Sequence, residues 1–134
     1  FHPGGKLGKA FIRVNDLMHK GEQLPLVVEG ASMKEAILTM TRKTFGTVAV
    51  VDKGGNLLGI ITDGDLRRHM EPALLDKTVT EVMTKNPRTI REQALAAEAL
   101  GIMNQKSITA LFVVEEGKPT GILHIHDALR AGVA

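Results

Sequence analysis

The chain has 134 residues, a net charge of +2, 43% hydrophobic and 24% charged residues, which suffices for the core of one domain or of two packed half-domains. Aromatics make up only 3%, with no Trp or Tyr, so the core is aliphatic, and the scarcity argues against base stacking on single-stranded nucleic acid. Cysteine is absent, which excludes disulfides and thiol catalysis, and no run of Lys or Arg forms a nucleic-acid stripe.

No apolar stretch approaches the length of a membrane span and no signal peptide is recognisable, which points to a cytoplasmic protein without a membrane partner. The chain opens Phe1-His2-Pro3-Gly4-Gly5 without an initiator Met, as expected of a fragment of something longer. Residues 1–13 stand outside the pattern that follows. His2 to Gly8 is turn-rich, and it is not a phosphate-binding P-loop: Pro3 stands where the first Gly is required, and Ala10 where Ser or Thr is.

From Val14 onward the sequence repeats itself. Val14-Asn15-Asp16-Leu17-Met18 returns as Val79-Thr80-Glu81-Val82-Met83. Ser32 to Glu35 reads as a capping box at a helix start, and Met33, Ala36, Ile37 and Met40 form that helix's buried stripe. Phe45-Gly46 ends it. Thr47 to Val51 reads as a buried strand, Asp52 to Asn56 as a turn and Leu57 to Ile61 as the return strand of a hairpin. Asp65-Leu66-Arg67-Arg68 opens a second helix, acids first and bases later. Residues 71–77, with Pro72, are the connector. The second copy has its stripe at Ala96, Ala99, Leu100 and Met103, strands over Leu111–Val114 and Thr120–Leu123 around the turn Glu115–Lys118, and a last helix starting at Asp127.

The expected fold is therefore α/β (α+β): two β-α-β-β-α repeats, 14–70 and 78–134, packed with pseudo-two-fold symmetry after a 1–13 tail. Neither repeat covers its own sheet alone, and a groove between like units suits a ligand.

The chemistry gathers at the two strand-to-helix junctions. In the first, Thr62 and Asp65 suit a nucleotide: the acid accepts from ribose hydroxyls, the hydroxyl donates to phosphate. In the second, Asp127 keeps the acid position, His124 replaces the hydroxyl and His126 stands where Gly64 does. The competing reading makes both aspartates plain helix caps. If the strand continues through His126, the two imidazoles share a face and could converge with the Asp127 carboxylate on a metal, but no further ligand cluster accompanies them, so they read as a polar pocket wall and no metal is expected. His19 and His69 read as surface histidines. Arg67, Arg68 and Arg130 read as solvated helix residues, one of which reaches a ligand phosphate; Arg68 is the candidate.

Tandem units ending in a Gly-hydrophobic-hydrophobic-Thr/Ser-x-x-Asp pattern, with His124 in the hydroxyl place of the second, resemble a CBS-domain pair, also called a Bateman module, over residues 14–134. The starts at Asp16–Met18 and Glu81–Met83 resemble that family's too. The resemblance implies a cleft between repeats that binds adenine nucleotides or other phosphorylated ligands. It implies one site from Thr62 and Asp65 with Ile108, Thr109 and Ala110, and another from His124 and Asp127 with Phe45, Gly46 and Thr47. His124 departs from the family's hydroxyl, which makes the second site selective for a different anion.

His2 to Gly8, Thr62 to Arg68 and Leu123 to Gly132 together resemble the C-terminal part of the D-arabinose-5-phosphate isomerase family, in which a sugar-isomerase (SIS) domain precedes a CBS pair. That resemblance implies a parent enzyme interconverting ribulose 5-phosphate and arabinose 5-phosphate for Kdo and lipopolysaccharide synthesis. It makes His2 a remnant of the parent active site, leaving this fragment noncatalytic and without a cofactor. The expected function is regulatory: a nucleotide or nucleotide-sugar effector such as CMP-Kdo, with self-association through the CBS pairs. The alternative is a structural oligomerisation module with a vestigial cleft.

Overall fold

The computed structural model describes residues 11–133. The first copy runs through α1 (Val14–Leu17), β1 (Leu26–Val28), α2 (Met33–Lys43), β2 (Thr47–Val51), β3 (Leu57–Thr62) and α3 (Asp63–Arg68). The second runs through α4 (Val79–Val82), β4 (Thr84–Lys85), β5 (Thr89–Ile90), α5 (Ala96–Lys106), β6 (Ala110–Glu115), β7 (Lys118–His124) and α6 (Ile125–Arg130). The first copy follows the β-α-β-β-α plan after one short helical turn; in the second, the additional strand β4 stands between that turn and the plan.

That leading turn has a local cause. Asp16 accepts the Arg13 N–H at 2.8 Å and Glu81 accepts the Thr78 N–H at 2.9 Å, so the acid of each start motif caps its own turn. Met18 and Met83 then leave in extended conformation, which throws the next residue onto a strand.

In α2, Ser32 Oγ accepts the Glu35 N–H at 3.2 Å, and the helix ends in the left-handed Thr44. Met33, Ala36, Thr39 and Met40 are its fully buried residues; Ile37 sits at the margin, half-buried, and Thr39 takes the inner place. In α5 the buried set is Ala96, Ala99, Leu100 and Met103, as the periodicity predicts. All five residues of β2 are buried, consistent with a β-branched run in the middle of a sheet.

The strands form two sheets, ordered β1-β2-β3-β4 and β5-β6-β7. β1 lies parallel to β2 and β5 parallel to β6, each pair joined through a crossover helix. β2 and β3 form the antiparallel hairpin, and β4 adds to the far edge of β3.

The chain divides into two compact units that exchange the leading turns relative to the sequence copies. The four-stranded unit comprises Glu22–Pro87 with Gly117–Pro119. The three-stranded unit comprises the segment ending at Gly21, Arg88–Glu116 and the segment from Thr120. Val79 and Val82 thus join the core of Val27, Met33, Val48, Val50 and Ile61, while Val14 joins that of Ile90, Met103, Leu111, Val113 and Leu123.

Two glycines supply the physical reason. A Cβ on Gly59 would lie 2.7 Å from Thr84 O and 2.8 Å from Met83 Sδ. One on Gly121 would lie 2.5 Å from Met18 Sδ and 3.1 Å from His19 O. Each return strand keeps a glycine where a leading turn lies against it, and that long-range contact outweighs sequence proximity.

Candidate functional site

In the four-stranded unit, Thr62 ends β3 and caps α3. Its N–H and hydroxyl donate to Asp65 Oδ2 at 2.9 and 3.2 Å, and its oxygen accepts the Asp65 N–H at 3.3 Å. Asp65 is therefore the third helical residue of a reciprocal capping box rather than the first residue of the helix, because the Thr-x-x-Asp spacing closes that box. Its other oxygen, Oδ1, accepts from Arg68 at 2.5 Å and from the Thr84 hydroxyl at 2.7 Å.

Asp65 is only 2% exposed. Burial alone pushes its carboxyl up, but the Thr84 hydroxyl, the Thr62 N–H, Arg68 and the Thr62 hydroxyl outweigh it and hold the group below its ordinary value. Asp65 is thus a carboxylate with its lone pairs committed.

The three-stranded unit repeats the arrangement with different chemistry. His124 ends β7 and caps α6, its Nδ1 accepting the His126 N–H at 3.1 Å. Asp127 Oδ2 accepts the His124 N–H at 3.0 Å, and Oδ1 accepts from Arg130 at 3.1 Å. His19 Nε2 lies 3.1 and 3.0 Å from the two oxygens of Asp127.

Burial again pushes Asp127 up, but the His124 N–H, His19 and Arg130 hold it below its ordinary value. Burial lowers the His124 imidazole, aided by His126 and opposed by Asp127. The neutral ring this favours is the one that keeps Nδ1 free to accept.

Two expectations need correction here. His124 and His126 do not share a strand face: β7 ends at His124, His126 lies in the first turn of α6, and the rings stack at 4.8 Å. Among the described residues no group of three or more His, Asp or Glu is placed to hold a metal. His19, expected at the surface without a partner, lies within hydrogen-bond distance of both Asp127 oxygens. The signal was present in the repeat: His19 follows Met18 as Thr84 follows Met83, and both bond the acid of their unit.

The remaining candidates fall beside these corners, each within its own unit. Thr47 pairs with Thr62 across β2 and β3, and its hydroxyl donates to Ile61 O at 3.1 Å. Gly46, at φ +74, faces Asp63, and Phe45 precedes it. In the three-stranded unit Thr109 O accepts the Ile125 N–H at 2.8 Å, between Ile108 and the start of β6 at Ala110. Arg68 and Arg130 are 63% and 76% exposed while bonding the acids three residues before them. His2 lies outside the described residues.

Comparison with known proteins adds a family. The CBS-domain model matches residues 14–72 and 79–134. The chain is 48% identical over 136 residues to the arabinose 5-phosphate isomerase KdsD of Pseudomonas aeruginosa, an alignment covering 98% of this chain and 42% of that protein. It spans about two fifths of the length of the curated relatives it matches.

Among solved structures, CBSX2 in complex with AMP is 25% identical, with a TM-score of 0.78 over 90% of this chain and 96% of that one. The CBS domain pair of MJ0100 in complex with 5-methylthioadenosine and S-adenosyl-L-methionine is 26% identical, with a TM-score of 0.78 over 90% and 94%. No helix among the described residues is long and apolar enough to cross a membrane.

Proposed function

The chain belongs to the CBS-domain family as a tandem pair, and on that premise we propose that it is the regulatory ligand-binding module of a longer arabinose-5-phosphate isomerase. The observation that carries this reading is the likeness, over nearly the whole of this chain, to two fifths of the Pseudomonas isomerase. The parent reaction is the interconversion of ribulose 5-phosphate and arabinose 5-phosphate. The chain itself regulates rather than catalyses, attached to a sugar-isomerase domain and self-associating through its CBS pair in the cytoplasm.

The effector is a nucleotide or nucleotide sugar, such as CMP-Kdo. The adenosyl ligands named for the two related CBS structures support the nucleoside part. The corners supply the chemistry. A ribose offers two vicinal hydroxyls, and Asp65 and Asp127 are carboxylates that accept them. The acids' lone pairs are committed, so a ligand must displace something.

Arg68 and Arg130 are the displaceable partners. Their side chains are 63% and 76% exposed, so each guanidinium can turn out to solvent and leave its acid's Oδ1 to a ligand hydroxyl. The released guanidinium is then free to hold the ligand's phosphate.

The resemblance groups Thr62 and Asp65 with Ile108, Thr109 and Ala110, and His124 and Asp127 with Phe45, Gly46 and Thr47. Imidazoles in place of a hydroxyl and a glycine favour a second anionic group there, such as the carboxylate of CMP-Kdo. An effector of this kind shifts the enzyme only by binding two of its states unequally.

Calorimetric titration of the chain with CMP-Kdo, AMP and ATP tests the reading. Saturable heat with at least one, weakened in Arg68→Ala and Arg130→Ala, is expected. No heat with any of the three overturns it and leaves assembly as the module's role.

A further inference from the structure

We propose that the residue following the methionine of each leading turn, His19 in one unit and Thr84 in the other, is a positioning residue for that unit's ligand-corner acid, so that the leading turn responds when the acid takes a ligand. The inference rests on the ligand reading above and deepens it.

The same bond occurs in both units with different chemistry. Thr84 pairs with Ile60 at the edge of β3 and donates its hydroxyl to Asp65 Oδ1 at 2.7 Å. His19 pairs with Ile122, its N–H donating to Ile122 O at 2.8 Å and its carbonyl accepting the Ile122 N–H at 2.9 Å. Its imidazole meets both oxygens of Asp127. A hydroxyl and an imidazole differ in length, shape and charge, yet at matched positions each reaches the acid. A contact arising only from surface proximity would not survive that exchange.

The lone-pair count links the contact to occupancy. A carboxylate oxygen accepts about two hydrogen bonds. In Asp65, Oδ2 holds the two bonds from Thr62, and Oδ1 holds Arg68 and Thr84. In Asp127, Oδ2 holds His124 and His19, and Oδ1 holds Arg130 and His19. The bonds that Thr62 makes to Asp65 Oδ2 and the His124 N–H makes to Asp127 Oδ2 belong to the cap and fix the helix start. A vicinal diol therefore enters at Oδ1, where its two donors replace both the arginine and the leading-turn residue.

The leading turn is the element that senses this. In the three-stranded unit it is tied by the Val14 N–H to Ala94 O and the Asn15 N–H to Glu92 O, both at 2.9 Å, and by the Arg13 guanidinium to Gln93 O. Loss of the His19 side-chain contact leaves the C-terminal end of this short segment held only by its two backbone bonds to Ile122, and the amides of the segment report the change.

The test is amide hydrogen exchange on the whole chain with and without saturating CMP-Kdo, in wild type and in His19→Gln, His19→Ala, Thr84→Ser and Thr84→Val. Faster exchange at residues 14–19 and 79–84 on binding is expected in wild type and Thr84→Ser. The response is expected to be lost in the unit carrying His19→Ala or Thr84→Val, and partly restored in His19→Gln. Binding with no change at these amides, or an equal change in His19→Ala and Thr84→Val, overturns the inference.

A wild type that binds no CMP-Kdo overturns the ligand reading instead. Positioning is then read from the carboxyl ¹³C titrations alone. His19→Ala raises the midpoint of Asp127 and leaves Asp65 in place; Thr84→Val does the reverse, with Thr84→Ser at the wild-type value. Unmoved midpoints overturn the inference in that case too.

Discussion

Met18 packs against the backbone of Gly121 so closely that a Cβ there would sit 2.5 Å from its sulfur. Met83 stands in the same relation to Gly59, where the nearest atom is the carbonyl of Thr84. A thioether can swing aside, but a paired strand carbonyl has less room to move. Gly59→Ala and Gly121→Ala are therefore expected to destabilise the chain by about 1–3 kcal/mol each, Gly59→Ala more severely. Gly101 is the control: it is exposed inside α5, with nothing within 4 Å of an added Cβ. Gly101→Ala is expected to stabilise by up to about 1 kcal/mol. Urea unfolding of the three variants measures all of this.

His124 gives the three-stranded unit a sensitivity near neutral pH. Its imidazole is held below the ordinary value by burial and by His126. A base whose folded value is depressed contributes stability above its unfolded value of about 6.5, and that contribution is lost as pH falls toward the folded value. Protonation also removes the Nδ1 acceptor that caps the His126 N–H. Wild type is expected to lose more stability than His124→Thr between pH 7.5 and 5.5, as read from urea midpoints. Equal losses would contradict the assignment.

Asp65 acts in a lower window. Its carboxyl is held down by Thr84, Thr62 and Arg68 against the opposing effect of burial. Its contribution is complete above the unfolded value of about 3.9 and disappears as pH falls through the lower folded value. Asp65→Asn keeps the shape but loses charge-assisted acceptors. It is expected to cost about 1–3 kcal/mol at pH 7, with the difference from wild type closing in strong acid. A constant difference across the acid range would mean that the cost comes from packing instead.

Much of the fold was legible because it is encoded locally. The α5 stripe, the five buried residues of β2 and the hairpin turns each follow from periodicity or turn chemistry within a few residues. The repeat then carried one copy's reading to the other. The exchange of leading turns was not legible, because Gly59 and Gly121 tolerate a close neighbour without naming it. His19 was misplaced for the same reason: its partner lies 108 positions away and only the structure joins them. Asp65 and Asp127 were legible at strand-to-helix junctions, but their place in the helix was not. Thr62-x-x-Asp65 is a recognisable capping pattern, whereas a histidine in the cap position at His124 falls outside the usual preference. The strand end at His124 likewise separated two histidines that alternation would have placed on one face.

The central claim is that the two corners receive a ligand, and backbone amide chemical shifts during titration with CMP-Kdo test it most directly. Saturable shifts centred on Thr62–Arg68 and His124–Arg130, reduced in Arg68→Ala and Arg130→Ala respectively, are the predicted result. Shifts confined to other surfaces, or none at all in a folded chain, would contradict it.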